Sequence, residues 1–253
     1  MNQKSTRLFY LLGAFFVANA LLAEFIGVKI FSLEKTLGIT PFSFSFFGVD
    51  DLAFNLTAGV LLWPVVFIMT DIINEYFGKK GVRLMSYTAA VLISYAYVMV
   101  YFSISIHPAD FWVGTGEGKG VPDMNSAFSA IFGQGLWIII GSLIAFLIGQ
   151  FVDVIVFHFL RRKTGENKIW LRATGSTLVS QFIDSFVVLF VAFYIGADWN
   201  LTLVMAIGVV NYLYKFIVAV ALTPFLYIIH GIIDRYLGRE EAKRLMEQAA
   251  SDS

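Results

Sequence analysis

Residues 136–160 read LWIIIGSLIAFLIGQFVDVIVFHFL, and Asp153 is the one Asp, Glu, Lys or Arg among them. An α-helix needs about 20 mostly apolar residues to cross the roughly 30 Å hydrocarbon layer of a bilayer, so this stretch is long enough to span it. The whole chain is similar, with 58% hydrophobic and 14% charged residues, whereas soluble domains average about 25% charged. The composition therefore predicts an all-α integral membrane protein.

Six segments of the chain have the length and apolar character of a membrane-spanning helix. Glycine-rich and charged connections, such as residues 78–81 and 114–120, separate them. Residues 1–238 are therefore predicted to form a single six-helix transmembrane domain, followed by a short cytoplasmic tail at residues 239–253. The spans are predicted at about residues 8–32, 52–77, 84–106, 129–160, 173–197 and 200–230.

Lysine and arginine are concentrated in every second connection. The N-terminal segment, the second-to-third connection, the fourth-to-fifth connection and the tail together hold 14 of the 18 basic residues. Because these residues stay on the cytoplasmic side, both termini are predicted to be cytoplasmic. Residues 1–20 also resemble a cleaved signal peptide. The apolar run continues to Ile30, which favours a membrane span instead.

Polar side chains inside the predicted spans mark a candidate binding site. A charged group at mid-bilayer costs about 3 kcal/mol on insertion scales, so such groups usually face a cavity or a partner. Asp71, Asn74 and Glu75 share one helix face by their spacing. The pattern Gln-Phe-aliphatic-Asp occurs at residues 150–153 and 181–184, at similar depth on neighbouring antiparallel spans. The predicted substrate-binding residues are Asp71, Asn74, Glu75, Gln150, Asp153, Gln181, Asp184, Asn211 and Lys215.

The carboxylates of Asp71 and Glu75 allow two interpretations. On adjoining turns near a helix C-terminus, they repel each other and are disfavoured by the helix dipole. Compensation is therefore expected from Lys79, Lys80 or a ligand. The alternative to a binding role is that both carboxylates snorkel toward the interface beside those lysines.

Two lysines, Lys29 and Lys215, fall within predicted spans. A buried lysine needs an acidic partner or loses its proton. For Lys215, near the middle of the sixth span, Asp184 is the first candidate partner and Asp153 the second. Both a structural ion pair and a pair within a transport pathway fit this arrangement.

Several function classes lack support in the sequence. The chain has no cysteine, its three histidines are widely separated, and it contains no GxGxxG, P-loop or GxSxG motif. Its formal net charge of zero gives no argument for a nucleic-acid partner. We therefore expect no enzyme activity, catalytic residue, cofactor or metal site, and no nucleic-acid partner. The expected partners are the lipid bilayer and a small molecule, and a homodimer is left open.

Four groups of residues carry a resemblance to a known family. The run from Trp63 to Asp71, followed by Glu75-Tyr-Phe-Gly78, fits a P-x-x-F-x-x-T-D signature. The other three groups are Gly149-Gln150-x-x-Asp153-x-x-x-Phe157, Ser176-Thr177-Leu178 with Asp184, and Asn211-Tyr-x-x-Lys215. In these motifs the chain resembles the YhhQ-type queuosine-precursor transporter family, also described as vitamin uptake transporters. The resemblance covers roughly residues 60–220 and does not extend to the outer loop at residues 107–128.

The resemblance implies a multi-pass protein of the bacterial cytoplasmic (inner) membrane that imports 7-cyano-7-deazaguanine or 7-aminomethyl-7-deazaguanine. A carboxylate can accept the adjoining N–H donors of such a base, and amide side chains can complete its hydrogen bonds. Trp63, Phe67, Tyr212 and Tyr214 are candidates for stacking on its flat face. The alternative is a substrate-binding membrane subunit for another vitamin-like heterocycle, working with an ATP-driven partner.

The charge pattern generates a topology test. Because the chain has no cysteine, single cysteines can replace Lys80, Arg162 and Gly118 in turn. An impermeant thiol reagent added to intact cells is expected to label position 118 and to leave positions 80 and 162 unlabelled until the cells are opened. Labelling of position 162 from outside would contradict the six-span arrangement.

Overall fold

The computed structural model describes residues 2–133, 136–164 and 168–251. Within these residues, five helical segments are long and apolar enough to cross a membrane, as expected for an all-α membrane protein. The segments are Gln3–Ile26, Trp63–Ser105, Met124–Thr164, Trp170–Ile195 and Leu201–Leu237.

The first helix, α1 (Gln3–Ile26), begins at Asn2, whose side chain accepts a hydrogen bond from the Ser5 amide. It ends before Gly27, so the prediction that the first span extends to residue 32 is wrong. Lys29 follows the helix and is exposed, which also corrects its predicted position within a span.

Short strands occur between residues 30 and 57, where the sequence predicted the end of the first span, a connection at 33–51 and the start of the second span at 52. Strand β1 (Ile30–Ser32) leads into a single helical turn, α2 (Leu33–Thr36). Strands β2 (Phe44–Phe46), β3 (Val49–Leu52) and β4 (Asn55–Thr57) follow. β1 pairs antiparallel with β4, and β2 pairs antiparallel with β3. Aromatic and β-branched residues with intervening turns favour strands here, although a hydropathy window counts them as apolar span.

One carboxylate is buried within this stranded segment. Glu34 is 1% exposed, and its Oε1 accepts a hydrogen bond from the Phe54 amide at 2.8 Å while Oε2 accepts one from Ser32 at 3.2 Å. Burial opposes ionisation, but the hydrogen bonds from Phe54 and Ser32 outweigh it and lower the pKa of Glu34. The carboxylate therefore ties α2 to Phe54, the residue that precedes β4.

The long helix α3 (Trp63–Ser105) follows a 3-10 turn at Ala58–Leu61 and is interrupted at Gly78, where φ is 65° and ψ is −171°. Gln150 Oε1 accepts hydrogen bonds from both Thr70, at 3.1 Å, and Ser86, at 3.4 Å. In a straight helix these two hydroxyls would be about 24 Å apart, at 1.5 Å per residue. The chain therefore doubles back at Gly78, and α3 is a pair of antiparallel helices. The predicted second span, at 52–77, is helical only from Trp63.

Shorter elements connect α3 to the second half of the chain. A turn of helix, α4 (Asp110–Val113), a 3-10 segment at Gly114–Lys119 and α5 (Met124–Phe132) lie before α6 (Leu136–Thr164). The predicted fourth span, at 129–160, therefore begins inside α5 and includes Gly133, which is not helical.

The antiparallel helices α6 and α7 (Ile169–Leu189) form the closest helical pair of the bundle. A Cβ placed on Gly141 would lie 3.3 Å from Ala192 Cβ, and one on Gly149 would lie 3.6 Å from Asp184 Cβ. Small residues at one interface permit this approach. α7 continues as a π-helix at Phe190–Ile195, and α8 (Leu201–Leu237) runs seven residues beyond the predicted end at residue 230.

The last helix, α9 (Arg239–Ser251), packs on the turn within α3. Its residues Ala242, Leu245 and Ala249 are buried, and Ala249 contacts Gly78. Arg161 Nη2 donates a hydrogen bond to the Met246 carbonyl at 2.6 Å. The tail expected at residues 239–253 is therefore an amphipathic helix docked on the bundle over its described part.

The backbone at Gly78 generates a stability test. Gly78→Ala places a Cβ in a conformation that costs an L-residue about 1–3 kcal/mol, and that Cβ would lie 3.3 Å from Ala249. We expect a lower Tm in detergent, measured by intrinsic fluorescence. The matched control is Gly231→Ala in α8, where a Cβ meets nothing within 4 Å, so its Tm should be unchanged or higher. Equal Tm values for Gly78→Ala and the native protein would contradict the role assigned to this turn.

Candidate functional site

The first half of α3 carries a buried polar face. Thr70, Asp71, Asn74 and Glu75 are each at most 4% exposed and recur at helical spacing toward α6 and α7. These side chains face the interior of the bundle, where residues of α6 and α7 form hydrogen bonds or ion pairs with Thr70, Asp71 and Glu75.

Glu75 is held by arginine. Arg172 of α7 donates from Nε to Glu75 Oε2 at 3.0 Å and from Nη2 to Oε1 at 2.6 Å, and both side chains are 2% exposed. Arg161 Nη2 lies 3.8 Å from Glu75 Oε1. The planar guanidinium group suits this two-point contact with a carboxylate. Arg172 and Arg161 therefore provide for Glu75 the compensation that was expected from Lys79, Lys80 or a ligand.

Asp71 and Asp153 face the same side of α7. Thr177 Oγ1 donates to Asp71 Oδ2 at 3.2 Å, and Ser180 Oγ donates to Asp153 Oδ1 at 3.3 Å. Thr177 and Ser180 are one turn apart, so the two carboxylates lie near each other at the junction of α3, α6 and α7. Asp71 and Asp153 are 4% and 0% exposed.

Several buried polar atoms around these carboxylates have no hydrogen-bond partner in the described part of the chain. Buried polar groups in folded proteins are nearly always hydrogen-bonded, so such a concentration indicates a place for a polar ligand or water. The atoms are Asp71 Oδ1, Asn74 Oδ1 and Nδ2, Gln150 Nε2, Asp153 Oδ2, Gln181 Nε2 and Ser185 Oγ.

Lys215 and Asp184 form an ion pair between α8 and α7. Lys215 Nζ lies 2.5 Å from Asp184 Oδ2, and the side chains are 10% and 19% exposed. The prediction that Asp184 is the partner of Lys215 is confirmed.

A narrow cleft lies between α3, α7 and α8, and Asp71, Gln181 and Lys215 are among the residues that line it. Its volume is about 30 Å³, enough for only a few water molecules, whereas ligand sites commonly enclose about 300–1,000 Å³. The helices must therefore separate before a ligand larger than a few water molecules can enter. The cleft is lined by Trp63, Pro64, Phe67, Ile68, Asp71, Ala173, Thr174, Thr177, Gln181, Lys215, Ala219, Leu222, Thr223 and Leu226.

The structure places three of the nine predicted binding residues in the wall of this cleft. Asp71, Gln181 and Lys215 line it directly. Asn74, Gln150 and Asp153 are the buried polar residues beside Asp71. Glu75 is paired with Arg172, and Asp184 is paired with Lys215. Asn211 is half-buried on α8 outside the lining.

Two of the four predicted aromatic residues line the cleft, and the other two lie outside its lining. Trp63 and Phe67 line the cleft, and their ring centroids are 6.4 Å apart. Tyr212 packs against Phe182, with ring centroids 5.2 Å apart, and Tyr214 lies beside the stranded segment. The cleft therefore offers a flat ligand two aromatic side chains, both from the start of α3.

Several polar residues of the bundle interior were absent from the predicted site. Glu24 of α1 accepts hydrogen bonds from Ser142 and from Tyr97, the latter at 3.3 Å. An ionisable residue within an apolar span was the sequence signal for Glu24. Arg172 and the hydroxyl of Thr177 gave weaker signals, because Arg172 follows a basic connection and threonine is common in membrane helices.

A second unpredicted network joins α3 to α8. Tyr76 Oη donates to Asp234 Oδ1 at 2.7 Å and lies 2.9 Å from His230 Nδ1. The Tyr76 and His230 rings stack with centroids 5.2 Å apart. No sequence motif brought these three residues together, since His230 and Asp234 lie more than 150 positions after Tyr76.

A family model described as "Putative vitamin uptake transporter" matches residues 57–229 of the chain. The chain belongs to this family. Every residue that lines the cleft falls within the matched region, whereas α1 and α9 lie outside it. The cleft therefore lies entirely within the region of the chain that matches the family.

Individual relatives support the family assignment. A "Probable queuosine precursor transporter" of Bacillus subtilis is 31% identical over 181 residues, which are 69% of this chain and 72% of the relative. A protein of the same description from Haemophilus influenzae is 30% identical over 210 residues, 81% of this chain and 79% of the relative. The "Queuosine precursor transporter" of Escherichia coli is 27% identical over 208 residues, 78% and 83% of the two chains. No solved structure shows a significant match.

These relatives are named as transporters, which points away from an enzyme. Together with the apolar helical segments, they make this member of the vitamin uptake transporter family a multi-pass membrane protein, which in bacteria lies in the inner membrane.

The Lys215–Asp184 pair generates a test by double substitution. Lys215→Met or Asp184→Asn alone leaves one buried charge without its partner, and each is expected to cost several kcal/mol. The double variant should lose much less, which would appear as recovered Tm and recovered folded protein in detergent. If the loss of stability in the double variant equals the sum of the losses in the two single variants, the pair contributes no coupling energy.

Proposed function

We propose that this protein imports a queuosine precursor, 7-cyano-7-deazaguanine or 7-aminomethyl-7-deazaguanine, into the cytoplasm. The observation that carries the proposal is the buried carboxylate of Asp71 at a cleft that also offers aromatic and amide side chains. The names of the relatives add support from outside the structure.

The chemistry of the base matches these groups. A guanine-like edge presents two neighbouring N–H donors, and a carboxylate accepts such a pair with both oxygens. Among the described residues, Asp71 Oδ1 has no hydrogen-bond partner, and Oδ2 accepts a hydrogen bond from Thr177. The Gln181 amide can donate to the carbonyl of the base, and Trp63 or Phe67 can pack on its face.

Alternating exposure of the cleft is the proposed mechanism of import. The base enters from the outer side, replaces water at the unpartnered polar atoms and leaves on the cytoplasmic side. The narrowness of the cleft supports a closed form between the two open ones. Asn74, Gln150 and Asp153 are proposed to orient Asp71 and the base, and Asp184 to hold Lys215 at the wall. Glu75 is proposed to anchor the cytoplasmic end through Arg172.

The proposed topology has six crossings with both termini in the cytoplasm. The reversal at Gly78 supports counting α3 as two crossings, because Thr70 and Ser86 bond to one oxygen. Lys79, Lys80 and Arg83 directly follow the reversal, as expected for a cytoplasmic turn.

Asp71→Asn is the variant that tests the proposed site. It keeps the shape of the side chain but replaces one acceptor oxygen by an NH2 donor. That donor would face an N–H donor of the base, so one hydrogen bond is lost. We expect at least a tenfold loss of labelled 7-cyano-7-deazaguanine uptake, about 1.4 kcal/mol or more, in cells unable to synthesise it. Asp110→Asn, an exposed carboxylate in α4, is the matched control and should take up the base normally. Normal uptake by Asp71→Asn, with both variants at equal levels in the membrane, would remove Asp71 from the site.

A further inference from the structure

The buried charges of the bundle do not balance. Each of the buried cations Arg161, Arg172 and Lys215 lies within 4 Å of Glu75 or Asp184. Within the described residues, no lysine, arginine or histidine nitrogen lies within that distance of Asp71 or Asp153. Asp71 and Asp153 are therefore buried without a cationic partner among the described residues.

The two carboxylates are also close enough to act on each other. Their hydroxyl donors, Thr177 for Asp71 and Ser180 for Asp153, lie one turn apart on the same face of α7. Each has one oxygen without a hydrogen-bond partner, Oδ1 of Asp71 and Oδ2 of Asp153. Two like charges in such a place cannot both be maintained without a neutralising group.

The surrounding side chains do not supply that group. Asn74 and the Gln150 amide, both buried and each with unpartnered atoms beside the pair, are neutral. Glu75 of α3, Arg161 of α6, Arg172 and Asp184 of α7, and Lys215 of α8 are engaged in ion pairs with one another. The same helices also carry two buried histidines, His158 of α6 and His230 of α8, and His230 bonds to Tyr76.

We propose that Asp71 and Asp153 share one proton that is transported with the base, so that the protein is a proton-coupled importer. This inference rests on the proposed function. A proton enters with the base from the outer side, is carried on the carboxylate pair, and is released with the base to the cytoplasm. No bond within the base is made or broken.

A proton suits the two facing carboxylates better than a metal ion that needs a cluster of His, Cys, Asp or Glu ligands. Within the described residues, no group of three or more His, Cys, Asp or Glu side chains could hold a metal ion. A proton needs only the two facing carboxylates, as in paired-carboxylate sites that keep one proton between them. Sodium is therefore the competing cation that the experiment must exclude.

Purified protein in proteoliposomes separates transport from coupling. Exchange of labelled for unlabelled 7-cyano-7-deazaguanine at equal pH on both sides tests the proposed function alone. An inward proton gradient of one pH unit is then expected to drive accumulation up to about tenfold over equilibrium, the limit for one proton per base. A lumenal pH dye should report acidification when the base is added outside.

The variants test the carboxylates themselves. Asp153→Asn is expected to abolish both the accumulation and the acidification, and Asp153→Glu, which restores a titratable group, should recover part of each. Asp198→Asn, an exposed carboxylate before α8, is the matched control and should behave as the native protein.

The outcomes distinguish the two claims. Exchange without proton-driven accumulation or acidification in the native protein would overturn proton coupling and leave the proposed function intact. Accumulation driven by a sodium gradient instead would also overturn it. Absence of any saturable exchange would overturn the proposed function on which the inference rests.

Discussion

Charge inside a helical bundle has to be neutralised by other protein groups or by a ligand, because the surrounding hydrocarbon holds no water. The contact that meets this need most completely is the two-point pair of Arg172 and Glu75, with both side chains 2% exposed. It joins the first half of α3 to the start of α7 and thereby fixes the height of Asp71, which lies one turn from Glu75. The polar face of the cleft depends on this register.

The other compensated charges extend the same constraint along the bundle. Lys215 and Asp184 join α8 to α7 on the far side of the cleft, and Arg161 ties α6 to the carbonyl of Met246 in α9. What remains uncompensated is concentrated at Asp71 and Asp153. A transport site has to accept a polar solute and then release it, so groups that lack permanent partners are the ones suited to that task.

Parts of this arrangement could be predicted from the sequence, and physical reasons separate them from the rest. Lys215 and Asp184 could be paired because each lies near the middle of neighbouring spans, where an unpaired charge is costly. The turn at Gly78 could be predicted from Gly-Lys-Lys-Gly. The partner of Glu75 could not be predicted, since Arg172 ends a run of basic residues that is typical of a cytoplasmic connection. The strands at residues 30–57 were missed because apolar β-formers and apolar helix-formers look alike in a hydropathy window.

Equilibrium binding of 7-cyano-7-deazaguanine to the purified protein, with adenine as competitor, tests the central claim that the Asp71 carboxylate recognises a pair of neighbouring N–H donors. The account predicts saturable binding at one site that adenine fails to displace, since adenine presents a donor beside an acceptor on the corresponding edge. Equal displacement by adenine, or no saturable binding of the deazaguanine, would contradict it.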